Sequence, residues 1–280
     1  MSKTNKTGWE RHNRVVFNEI TENYEKVRWG WIPEIFEDIV KYSSPSTGKN
    51  ALEIGAGTGK ATEHILEAGY NVLAVEMSEN MSDFLKQKFN ETQDLKVLTS
   101  TFEDAELEDS VYDLIYAASA FHWVDADIGC PKVFRLLKDK GVFALIRGNG
   151  ERVREGKLYD AVNIVYDKYY YSHYEKWDRE KSIADMTVED YLKPSEIERG
   201  FRFKGMEEYG FTDVTMKIYK TRKQHTADEH IKLLDTFSDH IALPEENRKA
   251  LYDGVAEAIN KNGGIQEITY DYQLYMGRKA

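Results

Sequence analysis

The chain has 280 residues and carries 49 acidic against 38 basic side chains, which gives a formal net charge of −11 at pH 7. This length can bury a substantial core, either as one large domain or as a domain with an insertion. The acidic balance argues against a nucleic-acid partner, because phosphate binding requires a basic surface.

The cysteine content and the N-terminal residues bear on the compartment. Cys130 is the single cysteine, which excludes an intrachain disulfide and a thiolate metal cluster and fits a reducing cytoplasm. Residues 1–7 lack the apolar core of a signal peptide, and no later run of residues is long enough to span a bilayer. We expect a soluble, cytoplasmic protein without a membrane span, and no metal site is predicted.

The first half of the chain alternates between helix and strand patterns. Residues 8–42 are predicted to be helical, with Pro33 in the first turn of a second helix, and a turn-rich break at 43–48 follows. Strands are then predicted at 51–54, 71–75, 95–98, 112–116 and 142–146, and helices at 59–68, 78–90 and 131–138. Such alternation, with nearly continuous apolar strands, indicates a parallel sheet covered by helices on both faces.

The pattern changes after Gly150. Residues 151–205 are rich in charge and tyrosine and are interpreted as an insertion. Later strands are predicted at 211–219 and 268–276, and helices near 226–237 and 244–261. The predicted organisation is a helical cap segment at 1–42, a core at 43–150, a cap or insertion at 151–205, and completion of the core sheet with helices at 206–280.

The most informative stretch is Glu53-Ile54-Gly55-Ala56-Gly57-Thr58-Gly59, which follows an apolar strand and precedes a helical pattern. Glycine suits this turn for two reasons. Its backbone angles are ones that other residues resist, and a ligand can approach main-chain N–H groups without a side chain in between. The stretch therefore predicts the binding site of a nucleotide-type cofactor.

The spacing of the glycines bears on which cofactor binds. A dinucleotide site favours G-x-G-x-x-G facing a pyrophosphate, whereas here the third glycine, Gly59, comes one residue early and Lys60 stands in the place of a glycine. Glu53 lies just before the turn, where its carboxylate would repel a pyrophosphate and attract a ligand that carries an amino group and a sulfonium. A cationic ligand is expected.

With these residues, the sequence resembles the class I S-adenosylmethionine-dependent methyltransferases over about 50–147. The glycine stretch resembles the acidic-x-G-x-G-x-G signature of that family. Glu76, at the end of the second strand, matches the acidic residue that holds the ribose hydroxyls. Residues 101–104 fall where the family contacts adenine, and 117–123 where it lines the methyl-transfer end.

The resemblance implies a fold, a reaction and a set of site residues. The fold is α/β, a Rossmann-like, seven-stranded, mostly parallel sheet with its last strand antiparallel, helices on both faces and a helical cap. The reaction is methyl transfer from S-adenosylmethionine, leaving S-adenosylhomocysteine, to a small-molecule acceptor by in-line displacement. Residues 121–125 further resemble the branch of trans-aconitate-type and quinone-biosynthesis-type enzymes. The implied cofactor-binding residues are Glu53, Gly55, Ala56, Gly57, Gly59, Glu76, Met77, Phe102, Glu103, Ala118 and Ser119.

Candidates for the acceptor side are fewer. His122 could act as a general base or could be a packed loop residue, since in-line positioning alone supplies much of the acceleration of methyl transfer. The tyrosines of 159–174 could form a lid over a planar acceptor or a packed helix. Arg28 could pair with a substrate carboxylate. The substrate and cap candidates are Tyr24, Arg28, His122, Trp123 and Tyr170.

Two other functions stay open at this point. A nicotinamide-dependent oxidoreductase is disfavoured by the early position of Gly59 and by Glu53. A non-catalytic protein that binds S-adenosylmethionine is compatible with the same motifs. The sequence does not indicate the acceptor, the element that is methylated, or the oligomeric state.

Overall fold

The computed structural model describes residues 25–28, 30–44, 49–176, 181–192 and 205–280. Helix predicted before residue 25, and with it the candidate Tyr24, lies outside the described residues. The strands are β1 (Asn50–Ile54), β2 (Asn71–Glu76), β3 (Leu95–Thr99), β4 (Tyr112–Ala118), β5 (Leu137–Arg152), β6 (Phe211–Thr226) and β7 (Ile265–Lys279). The helices named below are α1 (Pro33–Ser43), α2 (Thr62–Glu67), α3 (Glu79–Lys88), α4 (Ala126–Leu136), α5 (Gly156–Tyr169), α6 (Val188–Leu192), α7 (Gly205–Glu208), α8 (Ala227–Leu234), α9 (Ser238–Ile241) and α10 (Glu245–Lys261), with a 3₁₀ helix at Phe121–Trp123. Across these described ranges, we find no helix with both the length and the apolar character needed to cross a membrane.

The described strands form one sheet in the order β3-β2-β1-β4-β5-β7-β6. Strand β1 pairs in parallel with β2 and β4, β2 pairs in parallel with β3, and β4 pairs in parallel with β5. The registers place Ile54 opposite Val75, and Glu76 opposite Thr99. The carboxyl ends of β1, β2 and β3 therefore share one edge of the sheet, and the loops that leave them meet there.

Strands β5 and β7 run in opposite directions, as two contacts between them show. Lys279 donates to the carbonyl of Leu137, and a Cβ added to Gly148 would lie 3.4 Å from the ring of Tyr272. Residue numbers therefore rise along β5 as they fall along β7, and the pair is antiparallel. The mixed, mostly parallel sheet confirms the predicted α/β, Rossmann-like architecture; the cap stays a prediction.

Strand β5 continues to Arg152, beyond the predicted end at 146. Gly148 and Gly150 are typical of a turn in the sequence, yet a Cβ on Gly150 would lie 2.7 Å from Cε1 of Tyr270. Glycine at this position lets a tyrosine ring of β7 lie against the strand. The pairing therefore persists where the sequence alone predicts a break.

Helix α4 begins at Ala126, whereas the prediction placed its start at 131. The Asp125 side chain accepts the N–H of Asp127 at 3.1 Å and so caps the helix. Pro131 lies inside the helix. The predicted start at 131 is wrong because the helix is capped by Asp125 and Pro131 lies inside it.

The described residues divide into two compact units. The sheet unit consists of Gly30–Gly148, Thr187–Tyr219 and Tyr272–Ala280, and the tyrosine unit consists of Asn149–Met186 and Lys220–Asp271 with residues 25–28. Leu52, Ile115 and Phe143 are fully buried in the core of the sheet unit, as are Val162, Leu251 and Val255 in that of the tyrosine unit. The division at 148 lies close to the predicted boundary at 150, and residues 206–280 are divided between the two units.

Candidate functional site

The predicted cofactor residues lie where four strands of the sheet unit end. Gly55 follows β1, Glu76 ends β2, Phe102 comes after β3, and Ser119 follows β4. The N–H of Gly55 donates to the carbonyl of Val75 at 2.8 Å and ties the first two of these ends together. Ligands of open parallel sheets bind at the carboxyl edge, so the structure brings the four predicted motifs to the expected edge.

The three glycines of the turn have positive φ angles, 68° at Gly55, 58° at Gly57 and 82° at Gly59. Glycine adopts such angles without a steric penalty. The N–H groups of Gly55 and Gly57 already donate at 2.8 Å, to the Val75 carbonyl and the Glu76 carboxylate. Both donors are therefore satisfied within the protein, and the approach of a ligand to the main chain of this turn stays a prediction.

The glycines also differ in the space beside them. A Cβ on Gly55 would lie 2.5 Å from the Cβ of Ala120, and one on Gly59 would overlap the side chains of Leu85 and Phe89. Beside Gly57 the nearest atom is Sδ of Met81, at 3.9 Å. Packing therefore requires glycine at the first and third positions, whereas Gly57 lies beside an open cradle.

A buried hydroxyl lies in the same turn. Oγ1 of Thr58 makes no hydrogen bond within the part of the chain that the structure describes. Buried polar atoms in folded proteins nearly always have a partner. The orphaned hydroxyl and the cradle at Gly57 therefore fit a nucleotide-type cofactor such as S-adenosylmethionine, which carries polar groups and needs a surface free of side chains.

Glu76 is buried, and each of its carboxylate oxygens accepts a main-chain N–H. Oε2 accepts from Gly57 and Oε1 from Ser78, both at 2.8 Å. Burial raises the pKa of Glu76, and the main-chain hydrogen bonds act in the opposite direction. Because a carboxylate oxygen can accept more than one hydrogen bond, the group is fixed at the end of β2 and can still accept from a diol.

Glu53 is enclosed by protein rather than open beside the turn. Its side chain is buried, and Oε2 accepts from the hydroxyls of Thr62 at 2.5 Å and Tyr116 at 2.9 Å. Burial, and to a smaller degree the charge of Glu76, raises the pKa of Glu53 to about 7. One of its oxygens is therefore held by two hydroxyls, and the contact of Glu53 with the cofactor stays a prediction.

The raised pKa of Glu53 predicts a pH dependence of stability. The folded protein holds the proton up to about pH 7, whereas the unfolded chain releases it near the ordinary glutamate pKa of 4.5. Relative to Glu53→Gln, the parent should therefore lose up to about 3 kcal/mol of unfolding free energy as pH rises from 4.5 to 7. Denaturant titrations of both proteins across this window test it, and parallel curves would contradict it.

The segment predicted to contact adenine is held by a lysine that the sequence analysis did not single out. Lys132, on α4, donates to the carbonyls of Phe102 at 2.7 Å, Glu103 at 3.1 Å and Ala105 at 2.5 Å. Its Nζ also lies 5.1 Å from the centroid of the Phe102 ring. Phe102 is buried and Glu103 half-buried, so the lysine fixes a segment that offers an apolar ring and a carboxylate.

Lys132→Met is expected to weaken the binding of S-adenosylhomocysteine about tenfold, because three carbonyls lose their donor and the 102–105 segment loosens. Isothermal titration calorimetry measures the Kd. Lys138→Met is the control, since Lys138 pairs with Asp113 at 2.8 Å and makes no hydrogen bond to that segment. Equal affinities of the parent and Lys132→Met would contradict the prediction.

A pocket lies beside the end of β4. Ser119 has a φ of 52°, an uncommon angle for a residue other than glycine, and its hydroxyl accepts the N–H of Gly148 at 3.3 Å. Ala118, before it, is half-buried. The pocket is lined by Ser119, Ala120, Phe121, His122, Leu145, Ile146, Arg147 and Tyr275. Two predicted site residues, Ser119 and His122, therefore line one cavity.

His122 lies in the 3₁₀ helix, with its ring 4.9 Å from that of the half-buried Trp123. The surrounding protein, and then the positive charge of Arg147, lowers the pKa of His122. The residue keeps an exposed surface, so solvent also reaches the ring. At pH 7 the imidazole is neutral and has a nitrogen that can accept a proton.

The other predicted cofactor residues pack around the turn and the end of β2. Ala56 is buried and packs in a small apolar cluster with Ala74 and Leu85. Met77 is half-buried and follows Glu76 directly. Both positions agree with the predicted placement at the carboxyl edge, and their contact with a cofactor stays a prediction.

Two acceptor-side candidates lie in the tyrosine unit. Tyr170 is buried, and its hydroxyl donates to the Asp239 carboxylate at 2.5 Å. Arg28 donates to the hydroxyl of Thr236 at 2.9 Å and to its carbonyl at 3.2 Å, and its guanidinium lies 4.4 Å from the ring centroid of Phe237. The contact of Tyr170 favours the interpretation of a packed helix over that of a lid. The guanidinium of Arg28 is already engaged by Thr236 and Phe237.

Comparisons with known proteins point to one family. A model described as a methyltransferase domain matches residues 52–145. The uncharacterized methyltransferase-like protein C25B8.10 of Schizosaccharomyces pombe is 32% identical over 226 residues, which cover 79% of this chain and 78% of that protein. The uncharacterized methyltransferase Rv3342 of Mycobacterium tuberculosis is 32% identical over 136 residues, 49% of this chain and 53% of that protein. The chain thus spans about half the length of that relative.

A solved structure gives the same fold. An Anaeromyxobacter dehalogenans protein named as a type II methyltransferase superposes with a TM-score of 0.61 at 18% identity, covering 90% of this chain and 98% of that one. At this identity the likeness shows the fold alone. The match to C25B8.10 shows the family to which this chain belongs, the methyltransferases. The predicted membership of the methyltransferase family is confirmed.

Proposed function

We propose that this chain transfers a methyl group from S-adenosylmethionine to a small-molecule acceptor by in-line displacement. The observation that carries the proposal is that the open cradle at Gly57, the fixed carboxylate of Glu76 and the pocket at Ser119 and His122 all lie where β1, β2 and β4 end. The stretch 121–125 supports a place in the branch of trans-aconitate-type and quinone-biosynthesis-type enzymes.

Each site residue has a task in this proposal. Bound S-adenosylmethionine would supply a methyl group on a sulfonium, which is already a good leaving group. Glu76 would accept hydrogen bonds from the ribose hydroxyls, and Phe102 and Glu103 would hold the adenine. Ser119 and His122 would orient the acceptor beside the donor, so the protein contributes chiefly position and the exclusion of water.

His122→Ala is expected to leave the Kd for S-adenosylhomocysteine within about twofold of the parent, while turnover falls about a hundredfold through loss of a neutral proton acceptor. Calorimetry and a methyl-transfer assay measure the two quantities separately. His122→Gln serves as the control, because it keeps a hydrogen-bonding side chain without a basic nitrogen. Unchanged turnover in the alanine variant would remove His122 from the reaction.

Titration with S-adenosylhomocysteine and with NADH tests the proposal against the first alternative. We expect S-adenosylhomocysteine to bind and NADH not to bind; tight binding of NADH alone would establish an oxidoreductase instead. Turnover is then measured with a panel of carboxylic acids, phenols and amines. Binding of S-adenosylhomocysteine without product from any acceptor would favour a non-catalytic binding protein.

We also propose a reducing, cytoplasmic location. The support is Cys130, which is buried and whose thiol pKa burial raises to about 12. Such a thiol stays protonated and inert at neutral pH, so the protein does not depend on disulfide chemistry. The net charge of −11 supports a partner other than nucleic acid.

A further inference from the structure

The pocket at the end of β4 has one wall made by β5, and Arg147 belongs to that wall. The residues on both sides of Arg147 are tied to Ser119. The N–H of Ser119 donates to the carbonyl of Ile146 at 2.8 Å, and the N–H of Gly148 donates to the hydroxyl of Ser119 at 3.3 Å. Arg147 lies between these two contacts, so the main chain fixes its position beside the predicted methyl-transfer end.

The pocket combines a largely apolar lining with one guanidinium. Arg147 is half-buried, and it is the one charged residue among the described residues that line the pocket. Much of the remaining lining is buried and apolar, namely Phe121, Leu145, Ile146 and the ring of Tyr275. Because a guanidinium has five N–H donors, it can hold a protein group and a ligand at the same time.

The charge of Arg147 bears on the ligands that this pocket can accept. His122 lines the same cavity, and the influence of the Arg147 charge on the pKa of His122 agrees with that placement. A positive charge in a largely apolar pocket attracts an anion and repels an ammonium group more strongly than it does in water. The sulfonium of the proposed methyl donor adds a second positive charge, which an anionic acceptor would offset. The electrostatics of the pocket therefore favour an acceptor with a negative charge.

We propose that Arg147 determines the acceptor specificity by binding the carboxylate of an organic acid, whose apolar part lies against Phe121, Leu145 and Tyr275. This inference rests on the proposed function, because it names the acceptor class of the same pocket. A carboxylate matches a single guanidinium in charge, and its two oxygens fit the planar fork of N–H donors. A phosphate dianion would leave one negative charge without a counter-charge among the described lining residues. A protonated amine would be repelled.

A matched set of three phenols that differ in the charge of one substituent tests the proposal. 4-Hydroxybenzoate is an anion, 4-hydroxybenzamide is neutral and 4-hydroxybenzylamine is a cation. Each is titrated calorimetrically, at constant ionic strength, into the parent protein saturated with S-adenosylhomocysteine. We expect the anion to bind at least about tenfold more tightly than the amide, and the amine to bind more weakly still.

Variants of Arg147 test whether this side chain causes the preference. Arg147→Met should weaken the binding of 4-hydroxybenzoate at least about tenfold, and Arg147→Lys should keep part of the affinity. Arg147→Glu should reverse the order, so that the amine binds more tightly than the acid. Arg135→Met is the matched control and should bind all three ligands as the parent does. Arg135 lies in the last turn of α4, before the amino end of β5, and pairs with Asp109.

Failure of 4-hydroxybenzoate to bind, equal affinity of the parent for the three ligands, or undiminished binding of the acid by Arg147→Met overturns the proposal. The preference of the parent needs no variant, so the test stands even if Arg147→Met does not fold. The affinity for S-adenosylhomocysteine is measured for every protein. A parent that does not bind it contradicts the proposed function and the acceptor class together, whereas binding of S-adenosylhomocysteine without a preference for the anion overturns the acceptor class alone.

Discussion

Glu76→Ala is expected to weaken the binding of S-adenosylhomocysteine about one hundredfold, since two hydrogen bonds to a carboxylate contribute roughly 1.5 kcal/mol each and tenfold in Kd corresponds to about 1.4 kcal/mol. The substitution also leaves the N–H groups of Gly57 and Ser78 without their acceptor. Loss of affinity could therefore arise from the ligand contact or from a loosened turn. A double-mutant cycle separates the two causes.

The cycle pairs the substitution with a ligand that lacks the ribose hydroxyls. Removing both hydroxyls from S-adenosylhomocysteine should weaken binding to the parent strongly and binding to Glu76→Ala hardly at all. Glu79→Ala, which removes an exposed carboxylate in the first turn of α3, is the matched control and should bind as the parent does. Additive effects in the cycle, with no coupling, would refute the assignment of Glu76 to the ribose.

Strands β1, β2 and β4 were predictable because most of their residues, which alternate between the two faces of the sheet, are buried. Strands β1 to β4 lie within two residues of their predicted bounds, since a nearly continuous apolar run has few alternatives in a folded chain. Strands β5, β6 and β7 exceeded their predicted ranges because their outer residues are polar and, in β5, include Gly150. Residue 150 is a glycine because the Tyr270 ring lies against it, and Tyr270 is far away in the sequence.

Site residues were predictable where the local sequence alone explains why a particular residue type is needed. Glycines at positive φ and a carboxylate at the end of β2 follow from the local sequence. Lys132 could not be found in this way, because its three acceptor carbonyls lie on a distant loop and the start of α4 was misplaced. The enclosure of Glu53 likewise depends on Tyr116, from a neighbouring strand.

Gly57→Ala is expected to abolish most cofactor binding while leaving the fold intact. The φ of 58° imposes a strain of about 1–2 kcal/mol on alanine, but the nearest atom to the new Cβ, Sδ of Met81, is 3.9 Å away. The added methyl group would fill the open cradle against which the cofactor is proposed to lie. We expect the Kd for S-adenosylhomocysteine to rise at least about thirtyfold, in line with a steric loss of some 2 kcal/mol.

Two matched glycines separate the causes of this effect. Gly156→Ala has a φ of 84° and no atom within 4 Å of the new Cβ, so it should lose about the same stability as Gly57→Ala and bind the cofactor normally. Gly55→Ala adds an overlap with Ala120, whose Cβ would lie 2.5 Å away, and should lower the melting temperature further than either. If Gly57→Ala binds S-adenosylhomocysteine as tightly as Gly156→Ala does, the open side of the turn is not the cofactor surface, and the cradle must be assigned to another part of the edge.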